Sequence, residues 1–330
     1  MMKSISRRKF IGDSVKGAAI VSAAGTLTSF SMVPATERKG RMPMRILGKT
    51  GLEVSILAFG GGSQFQKNEN GMWEKMLEEA VGSGVNLYDT SPNYSDFKMS
   101  KDAVGPDERF AAILSPVRDK VLISTKVETR NPREVKAELE ASLSRLNTDY
   151  IDILMVHALD DKDNIDEIEK GIYKEMQAIK KAGIARFIGF SSMSSAQRSK
   201  EMLEKLDVDV ALLAFNPTQF GNYAEIALPA AIKQNTGVLG MKVMRDLAGE
   251  VATPRELYNY ALSLEGVSSV IVGHIGNKQL KENIRLAQEF ETTEINPFDH
   301  QALEARLAPY AGPHQLCWAR PDYTDGLVRA

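Results

Sequence analysis

The sequence predicts an α/β fold: a (β/α)8 TIM barrel with an N-terminal β-hairpin and an irregular C-terminal tail. Short β-rich runs alternate with helical stretches from Met44 onwards, which is typical of parallel strands joined by helical crossovers. The alternation gives eight strands within roughly 250 residues, which is the size of a TIM barrel. The chain of 330 residues is 43% hydrophobic and 25% charged, a composition typical of globular rather than disordered proteins.

Each predicted strand is a short apolar run bounded by polar or turn residues. The eight runs are Ile56–Phe59, Asn86–Tyr88, Val121–Thr125, Ile151–Val156, Ala185–Phe190, Val208–Ala214, Gly237–Met241 and Val267–Val272. Ahead of them, residues 45–47 and 53–55 flank the turn sequence Gly48–Gly51. This pattern predicts a hairpin that closes the bottom of the barrel.

Two sequences mark helix starts between the strands. Asn131 and Thr253 each supply a capping side chain, followed by proline at the first helical position and by glutamate two residues later. After Asn131, apolar residues recur at helical spacing with charged residues between them, which predicts a helix packed against the barrel. These apolar residues are Val135, Leu139, Leu143 and Leu146.

A doubly wound open sheet is the alternative fold. Such a sheet normally carries a glycine fingerprint between its first strand and its first helix. Gly60–Gly62 lie at that place, but residues 64–70 have the composition of a loop, so the fingerprint is absent. The pattern therefore favours the closed barrel.

The first 35 residues differ in character from the rest. Arg7 and Arg8 precede an uncharged run of small and apolar residues from Gly17 to Val33, an arrangement that resembles a twin-arginine export signal. An uncleaved membrane anchor is the alternative, but the many serine, threonine and glycine residues make the run weakly hydrophobic. We therefore expect a periplasmic or otherwise exported protein that engages the twin-arginine machinery. The predicted divisions are a signal peptide (1–35), a linker (36–43), the barrel (44–290) and a C-terminal helix and tail (291–330), with the helix near Phe298–Leu307.

Charge and composition disfavour several other classes of protein. The formal net charge is −2 and no long cluster of lysine or arginine stands out, so no nucleic-acid partner is expected. The single cysteine, Cys317, excludes a disulfide within one chain and a cysteine-based metal cage. The four histidines show no ligand spacing, so no metal site is predicted. No stable membrane span is expected in the mature form.

Four polar residues fall at strand ends that a barrel brings to one rim. Asp89 follows the second strand, with Tyr94 five residues further on, Lys126 ends the third strand and His157 ends the fourth. The chemistry of a TIM barrel lies at the carboxyl ends of its strands. We therefore expect these four side chains, here called the tetrad, to meet.

The tetrad has the composition of an acid catalyst for a carbonyl group. A phenol is a weak acid with a pKa of about 10, but a nearby ammonium stabilises the phenolate and lowers that pKa. Lys126 is placed to act on Tyr94 in this way, and Asp89 would keep Lys126 charged and oriented. His157 would hydrogen-bond the substrate oxygen and stabilise the charge that develops on it.

The sequence resembles the aldo-keto reductase family from about Met44 to Phe290. The likeness rests on residues 45–55 (RILGKTGLEVS), 88–91 (YDTS), 142–152 (SLSRLNTDYID) and 189–192 (GFSS). The resemblance implies a (β/α)8 barrel, a nicotinamide cofactor bound in extended form, and Asp89, Tyr94, Lys126 and His157 as catalytic residues.

The resemblance also implies where the cofactor lies. Ser191 and Ser192 follow the fifth strand, where the family binds the nicotinamide carboxamide, and Phe215 would wall the ring. The pyrophosphate is expected near the seventh strand and the adenosine near the eighth. The residues expected at these two places are Met241, Lys242, Gly273, Lys278, Gln279, Glu282 and Asn283.

The resemblance implies an NAD(P)-dependent oxidoreductase that transfers hydride to or from an aldehyde, a ketone or a keto-sugar. We expect NADP(H) rather than NAD(H), although many members that prefer NADP(H) carry arginine where this chain has Gln279. Two alternatives stay open: a barrel with a permanently bound nicotinamide that cycles between two substrates, and a nicotinamide-binding regulatory module without catalysis. The expected small-molecule partner is a carbonyl compound or an alcohol.

Overall fold

Eight parallel strands close into a barrel in the computed structural model, which describes residues 40–96, 103–290 and 300–327. A separate two-stranded antiparallel hairpin precedes them, formed by β1 (Met44–Ile46) and β2 (Glu53–Ser55). The barrel strands are β3 (Leu57–Gly60), β4 (Leu87–Asp89), β5 (Leu122–Val127), β6 (Ile151–Val156), β7 (Ala185–Ser192), β8 (Val210–Ala214), β9 (Gly237–Met241) and β10 (Val267–Val272). Each strand pairs with the next along the chain, and β10 pairs with β3. The predicted fold is confirmed, and the predicted leader lies outside the described residues.

Helices connect the strands and follow the last of them. They are Ser63–Gln66, Trp73–Gly82, Pro92–Asp96, Pro106–Leu114, Val135–Arg145, Ile165–Ile168, Lys174–Lys181, Ala196–Lys205, Tyr223–Ile226, Leu228–Lys233, Pro254–Ser263, Asn277–Phe290 and His300–Leu307. Shorter helical turns are Gly48–Thr50, Ser115–Lys120, Glu169–Tyr173, Ala308–Tyr310 and Cys317–Ala319. The helix predicted near Phe298–Leu307 is therefore present at His300–Leu307.

One of the two predicted helix caps is confirmed. The Thr253 hydroxyl accepts a hydrogen bond from the backbone N–H of Glu256, whose carboxylate accepts one from Thr253 N–H in return. The prediction at Asn131 is wrong by several residues, because the helix begins at Val135. The Asn131 side chain accepts from Arg133 N–H at 3.2 Å and so forms a turn ahead of the helix.

The helix that begins at Val135 packs much as its spacing predicts. Val135, Leu139 and Leu146 are buried, whereas Leu143 is half-buried. The apolar stripe therefore faces the barrel, as expected for an amphipathic crossover helix.

The hairpin closes the amino end of the barrel. Leu47 is buried, and the backbone N–H of Lys49 donates to Asn235 O at 2.7 Å, just before β9. The Arg45 guanidinium donates to Leu262 O at 2.8 Å and to Val267 O at 2.7 Å, at the start of β10. The opposite end, where the strands terminate, is left for the site, and it is called the mouth below.

Twenty residues after the last helix, 308–327, are called the tail below. Leu316 and Trp318 are buried, and the Trp318 ring meets Phe220 edge-on at 5.2 Å between centroids. Cys317 N–H donates to an Asp246 carboxylate oxygen at 2.8 Å. The tail therefore packs on the loops that follow β8 and β9, and its last described residues reach the mouth.

The seal at the amino end gives a stability prediction. A Cβ on Gly237 would lie 2.5 Å from Leu47 Cγ, whereas a Cβ on Gly82 would meet nothing within 4 Å. Gly237→Ala should lower the free energy of unfolding by about 1–3 kcal/mol through overpacking. Gly82→Ala, in an exposed helix end, should leave it unchanged or raise it by up to about 1 kcal/mol. Urea denaturation at equilibrium measures both, and equal effects would contradict the packing argument.

Candidate active site

Neighbouring strands bring the tetrad together at the mouth. Asp89 is the last residue of β4, Lys126 lies in β5, and Tyr94 lies in the short helix Pro92–Asp96. Lys126 Nζ donates to Asp89 Oδ2 at 2.8 Å and to Thr90 O at 2.8 Å, and it lies 3.5 Å from the Tyr94 hydroxyl. Three acceptors thus use the three donors of the ammonium.

The ion pair between Lys126 and Asp89 is fully buried. The Lys126 side chain is 1% exposed, and the second Asp89 oxygen accepts from the Ser124 hydroxyl at 2.7 Å. In the register of β4 and β5, Asp89 stands opposite Ser124, and Lys126 lies two residues further along the same face. The pairing of two strands therefore positions Lys126.

His157 follows β6 directly and is held by an acid that the sequence analysis missed. Its Nδ1 hydrogen-bonds Glu128 Oε1, which also accepts from the Ser91 hydroxyl at 2.5 Å. Glu128 comes two residues after Lys126, so the period of two along a strand places it on the same side of the chain. That spacing was the signal that could have predicted it.

The contact with Glu128 changes the charge of His157. Burial opposes the imidazolium, but hydrogen bonds to Asp325 and Glu128 outweigh burial and raise the pKa of His157. Burial likewise opposes the carboxylate of Glu128, and its contacts with His157 lower its pKa. A protonated ring bound to Glu128 through Nδ1 donates its other proton, on Nε2, into the mouth.

The acceptor of that proton belongs to the tail. Asp325 Oδ2 accepts from the Tyr94 hydroxyl at 2.7 Å and lies 3.2 Å from His157 Nε2. Asp325 Oδ1 accepts from Lys242 Nζ at 2.6 Å and from the Tyr323 hydroxyl at 2.9 Å. Burial opposes ionisation of Asp325, but the charges of Lys242 and His157 outweigh burial and hold its pKa well below the usual range.

The pKa of Tyr94 differs from the sequence prediction. Burial raises it well above its usual value, and the carboxylates of Asp325 and Asp89 raise it further. The predicted lowering by Lys126 is therefore wrong for this arrangement, because burial opposes the phenolate and a carboxylate of the tail lies closer to the hydroxyl than the ammonium does.

A cavity of about 490 Å³ extends from Asp89 and Tyr94 to the start of the helix Asn277–Phe290. Six of the residues predicted to contact a cofactor line it: Met241, Lys242, Gly273, Gln279, Glu282 and Asn283. Ser63, Gln64 and Arg245 also line it, and Gln64 Oε1 is buried without a hydrogen-bond partner in the described part of the chain.

Four other predicted cofactor residues lie outside this cavity. The Ser191 hydroxyl accepts from Ala158 N–H at 2.9 Å, and the Ser192 hydroxyl donates to Leu159 O at 2.7 Å. Both serines thus tie β7 to the loop after β6. The remaining two are Phe215, which is buried in the core, and Lys278, which is exposed.

Comparison of the sequence with known protein families gives a match. The sequence profile of the Aldo/keto reductase family matches residues 57–246, more than half of the chain. The chain belongs to the aldo/keto reductase family. Aldo-keto reductases catalyse NAD(P)H-dependent carbonyl oxidoreduction, and this protein is an NAD(P)-dependent oxidoreductase of that type.

Individual relatives of this aldo-keto reductase are distant but span most of its length. The oxidoreductase YqkF of Bacillus subtilis is 26% identical over 300 residues, covering 77% of this chain and 94% of the relative. L-galactose dehydrogenase of Arabidopsis thaliana is 24% identical over 310 residues, covering 82% and 95%. A solved aldo-keto reductase structure from Pseudomonas aeruginosa superposes with a TM-score of 0.64 at 25% identity, covering 77% and 98%.

A second solved aldo-keto reductase, from Bacillus halodurans, superposes with a TM-score of 0.66 at 20% identity and covers 81% of this chain and 96% of that one. At that identity the likeness concerns the fold. In the described part of this reductase, no helix has the length and apolar character needed to cross a membrane.

The contact between His157 and Glu128 in this reductase generates a prediction for pH titration. Glu128→Gln removes the carboxylate that favours the imidazolium, so the pKa of His157 should fall. Glu134→Gln is the matched control, because Glu134 lies in the same segment but bonds Thr129 and Asn131 instead. NMR titration of the histidine rings measures the change. A His157 pKa that is the same in both variants would show that Glu128 does not set its charge.

Proposed function

We propose that this aldo-keto reductase reduces the carbonyl group of an aldehyde, a ketone or a keto-sugar, with Tyr94 as the proton donor, and that Tyr94 acts as the base in the reverse direction. One observation carries the proposal: the Tyr94 hydroxyl and His157 Nε2 converge on a single oxygen atom, Asp325 Oδ2, at 2.7 and 3.2 Å. Two donors aimed at one oxygen form the arrangement that a carbonyl needs as negative charge develops on it.

The surrounding charges support this role. With Asp325 away from the mouth, Tyr94 loses a carboxylate that raises its pKa, and the Lys126 ammonium stays at 3.5 Å from its hydroxyl. Asp89 holds that ammonium in place through a hydrogen bond of 2.8 Å. His157, bonded to Glu128 through Nδ1, donates from Nε2 to the same substrate oxygen. Proton transfer from Tyr94 then leaves a phenolate that Lys126 stabilises.

The lined cavity fits a nicotinamide cofactor. Arg245 offers positive charge for a pyrophosphate, the unpartnered Gln64 Oε1 offers an acceptor, and Glu282 and Asn283 close the far end. When bound, the nicotinamide supplies or accepts hydride. The chain itself supplies the proton, its orientation and the charged groups around the reacting oxygen.

Two finer features are part of the proposal. The name of the relative L-galactose dehydrogenase supports a sugar-sized carbonyl substrate within the broader class. The paired Arg7 and Arg8 support export by the twin-arginine route to the periplasm, with the folded protein as its cargo.

Removal of the phenolic hydroxyl tests the catalytic role. Tyr94→Phe should lower kcat/KM by on the order of 10²–10⁴, because it deletes the general acid, and should leave cofactor affinity nearly unchanged. NADPH and NADH oxidation against a panel of carbonyl compounds gives the rates, and fluorescence titration gives the affinity. Tyr150→Phe, at the other end of β6, is the matched control and should retain the parent rate. Parent-like turnover in Tyr94→Phe would refute the assigned role.

We propose a preference for NADP(H) that depends on Lys278, the exposed second residue of the helix Asn277–Phe290 and the neighbour of the cavity-lining Gln279. Lys278→Met should weaken binding of NADPH about tenfold, the effect of losing roughly 1.4 kcal/mol, and leave NADH binding unchanged. Lys281→Met, one turn along the same helix and paired with Glu79 at 3.3 Å, is the control. Titration calorimetry distinguishes the two cofactors. An equal loss for both, or no loss, would contradict the preference.

A further inference from the structure

The tail occupies the place that the proposed function assigns to the substrate. One carboxylate, that of Asp325, contacts Tyr94 and His157 through one oxygen and Lys242 through the other. Its side chain is only 11% exposed. The mouth is therefore built around a bound carboxylate, and the chain supplies that carboxylate from its own C-terminal region.

Lys242 supplies the positive charge that faces this carboxylate. The Lys242 side chain is 9% exposed, and its ammonium donates to Asp325 Oδ1 at 2.6 Å and to the Tyr323 hydroxyl at 2.8 Å. Both partners belong to the tail. When the tail leaves, the ammonium loses both partners and is open to another anion from the cavity that it lines.

The tail and a substrate cannot occupy the mouth together. The Asp325 carbonyl accepts from Asn93 Nδ2 at 3.3 Å, and the Gly326 carbonyl accepts from Gln66 Nε2 at 3.0 Å. A Cβ on Gly326 would lie 2.1 Å from the Tyr94 ring, so the backbone of the tail lies directly against the catalytic phenol. A ligand oxygen that accepts the hydrogen bond of the Tyr94 hydroxyl must replace Asp325 Oδ2.

We propose that the mouth binds carbonyl compounds that carry a carboxylate next to the reacting carbon, the 2-oxo acids, and that Asp325 is an internal ligand which such substrates replace. The inference rests on the proposed carbonyl reduction. A 2-oxo acid presents its carbonyl oxygen and a carboxylate oxygen on adjacent carbons, so that one oxygen meets Tyr94 and His157 while the other meets Lys242. A neutral aldehyde fills only the first of these positions and leaves Lys242 unpaired.

The reaction balances with groups already named. The carbonyl carbon of the 2-oxo acid gains a hydride from the reduced nicotinamide, which is oxidised, and the carbonyl π bond is reduced. The oxygen takes the proton of Tyr94, which is later restored from solvent. The carboxylate is unchanged, and the product is a 2-hydroxy acid.

Binding to the cofactor-free full-length protein tests the site without relying on turnover. Titration calorimetry compares 2-oxopropanoate with its neutral, equally sized amide, 2-oxopropanamide. Asp325→Ala should bind the acid at least tenfold more tightly than the parent does, and at least tenfold more tightly than it binds the amide. Lys242→Met combined with Asp325→Ala should abolish the preference for the acid.

Two further variants keep the binding result decisive. Asp322→Asn removes an exposed carboxylate of the same tail and should behave like the parent. Asp325→Asn keeps the size of the side chain and is measured alongside, so that a folding defect of the alanine variant, seen by circular dichroism, does not block the test. Equal affinity for acid and amide, or equal acid binding by the parent and both Asp325 variants, would overturn the proposal.

Kinetics separate this inference from the proposed function. With NADPH or NADH, Asp325→Ala should reduce 2-oxopropanoate with a kcat/KM at least tenfold above that of the parent and at least tenfold above that for the amide. Turnover of neutral carbonyls without preference for the acid overturns the inference and leaves carbonyl reduction standing. Selective acid binding without reduction of any carbonyl overturns the proposed function and leaves the carboxylate site standing.

Discussion

The mouth of the barrel depends on one buried ion pair between neighbouring strands, Lys126 of β5 and Asp89 of β4. In a buried site, removal of either partner leaves an uncompensated charge at a cost of about 3–5 kcal/mol. Asp89 Oδ2 and Thr90 O accept two hydrogen bonds from the Lys126 ammonium. Its third hydrogen is therefore directed at the Tyr94 hydroxyl. The register of β4 and β5 thus fixes the buried ion pair, and the ion pair in turn fixes the ammonium that faces the proton donor.

A second buried ion pair, Lys242 with Asp325, connects the tail to this constraint and makes its docking dependent on pH. The pKa of Asp325 is lowered, so its contribution is present above the ordinary carboxyl range and is lost as pH falls through the lowered pKa. The pKa of His157 is raised, so its contribution is fully present below the ordinary imidazole range and is lost as pH rises through the raised pKa. The tail is therefore held most tightly where Asp325 is ionised and His157 is protonated.

The barrel and the tetrad were predictable because strand periodicity is local in the sequence and closure brings the strand ends together. Glu128 was within reach of the same reasoning, since it follows Lys126 at the spacing of one strand face. Asp325 was not, because its contact with Tyr94 spans 231 positions and no periodic pattern leads to it. The raised pKa of Tyr94 was missed because its main cause, burial, and the added effect of the Asp325 carboxylate both arise from tertiary packing.

The tail combines a firm anchor with a removable tip. Leu316 and Trp318 are buried against the barrel, whereas the tip at Asp325 is held by hydrogen bonds and ion pairs rather than by apolar burial. An anionic ligand can replace these polar contacts. The apolar contacts of Leu316 and Trp318 are not changed by that replacement, so opening is a local event at the tip.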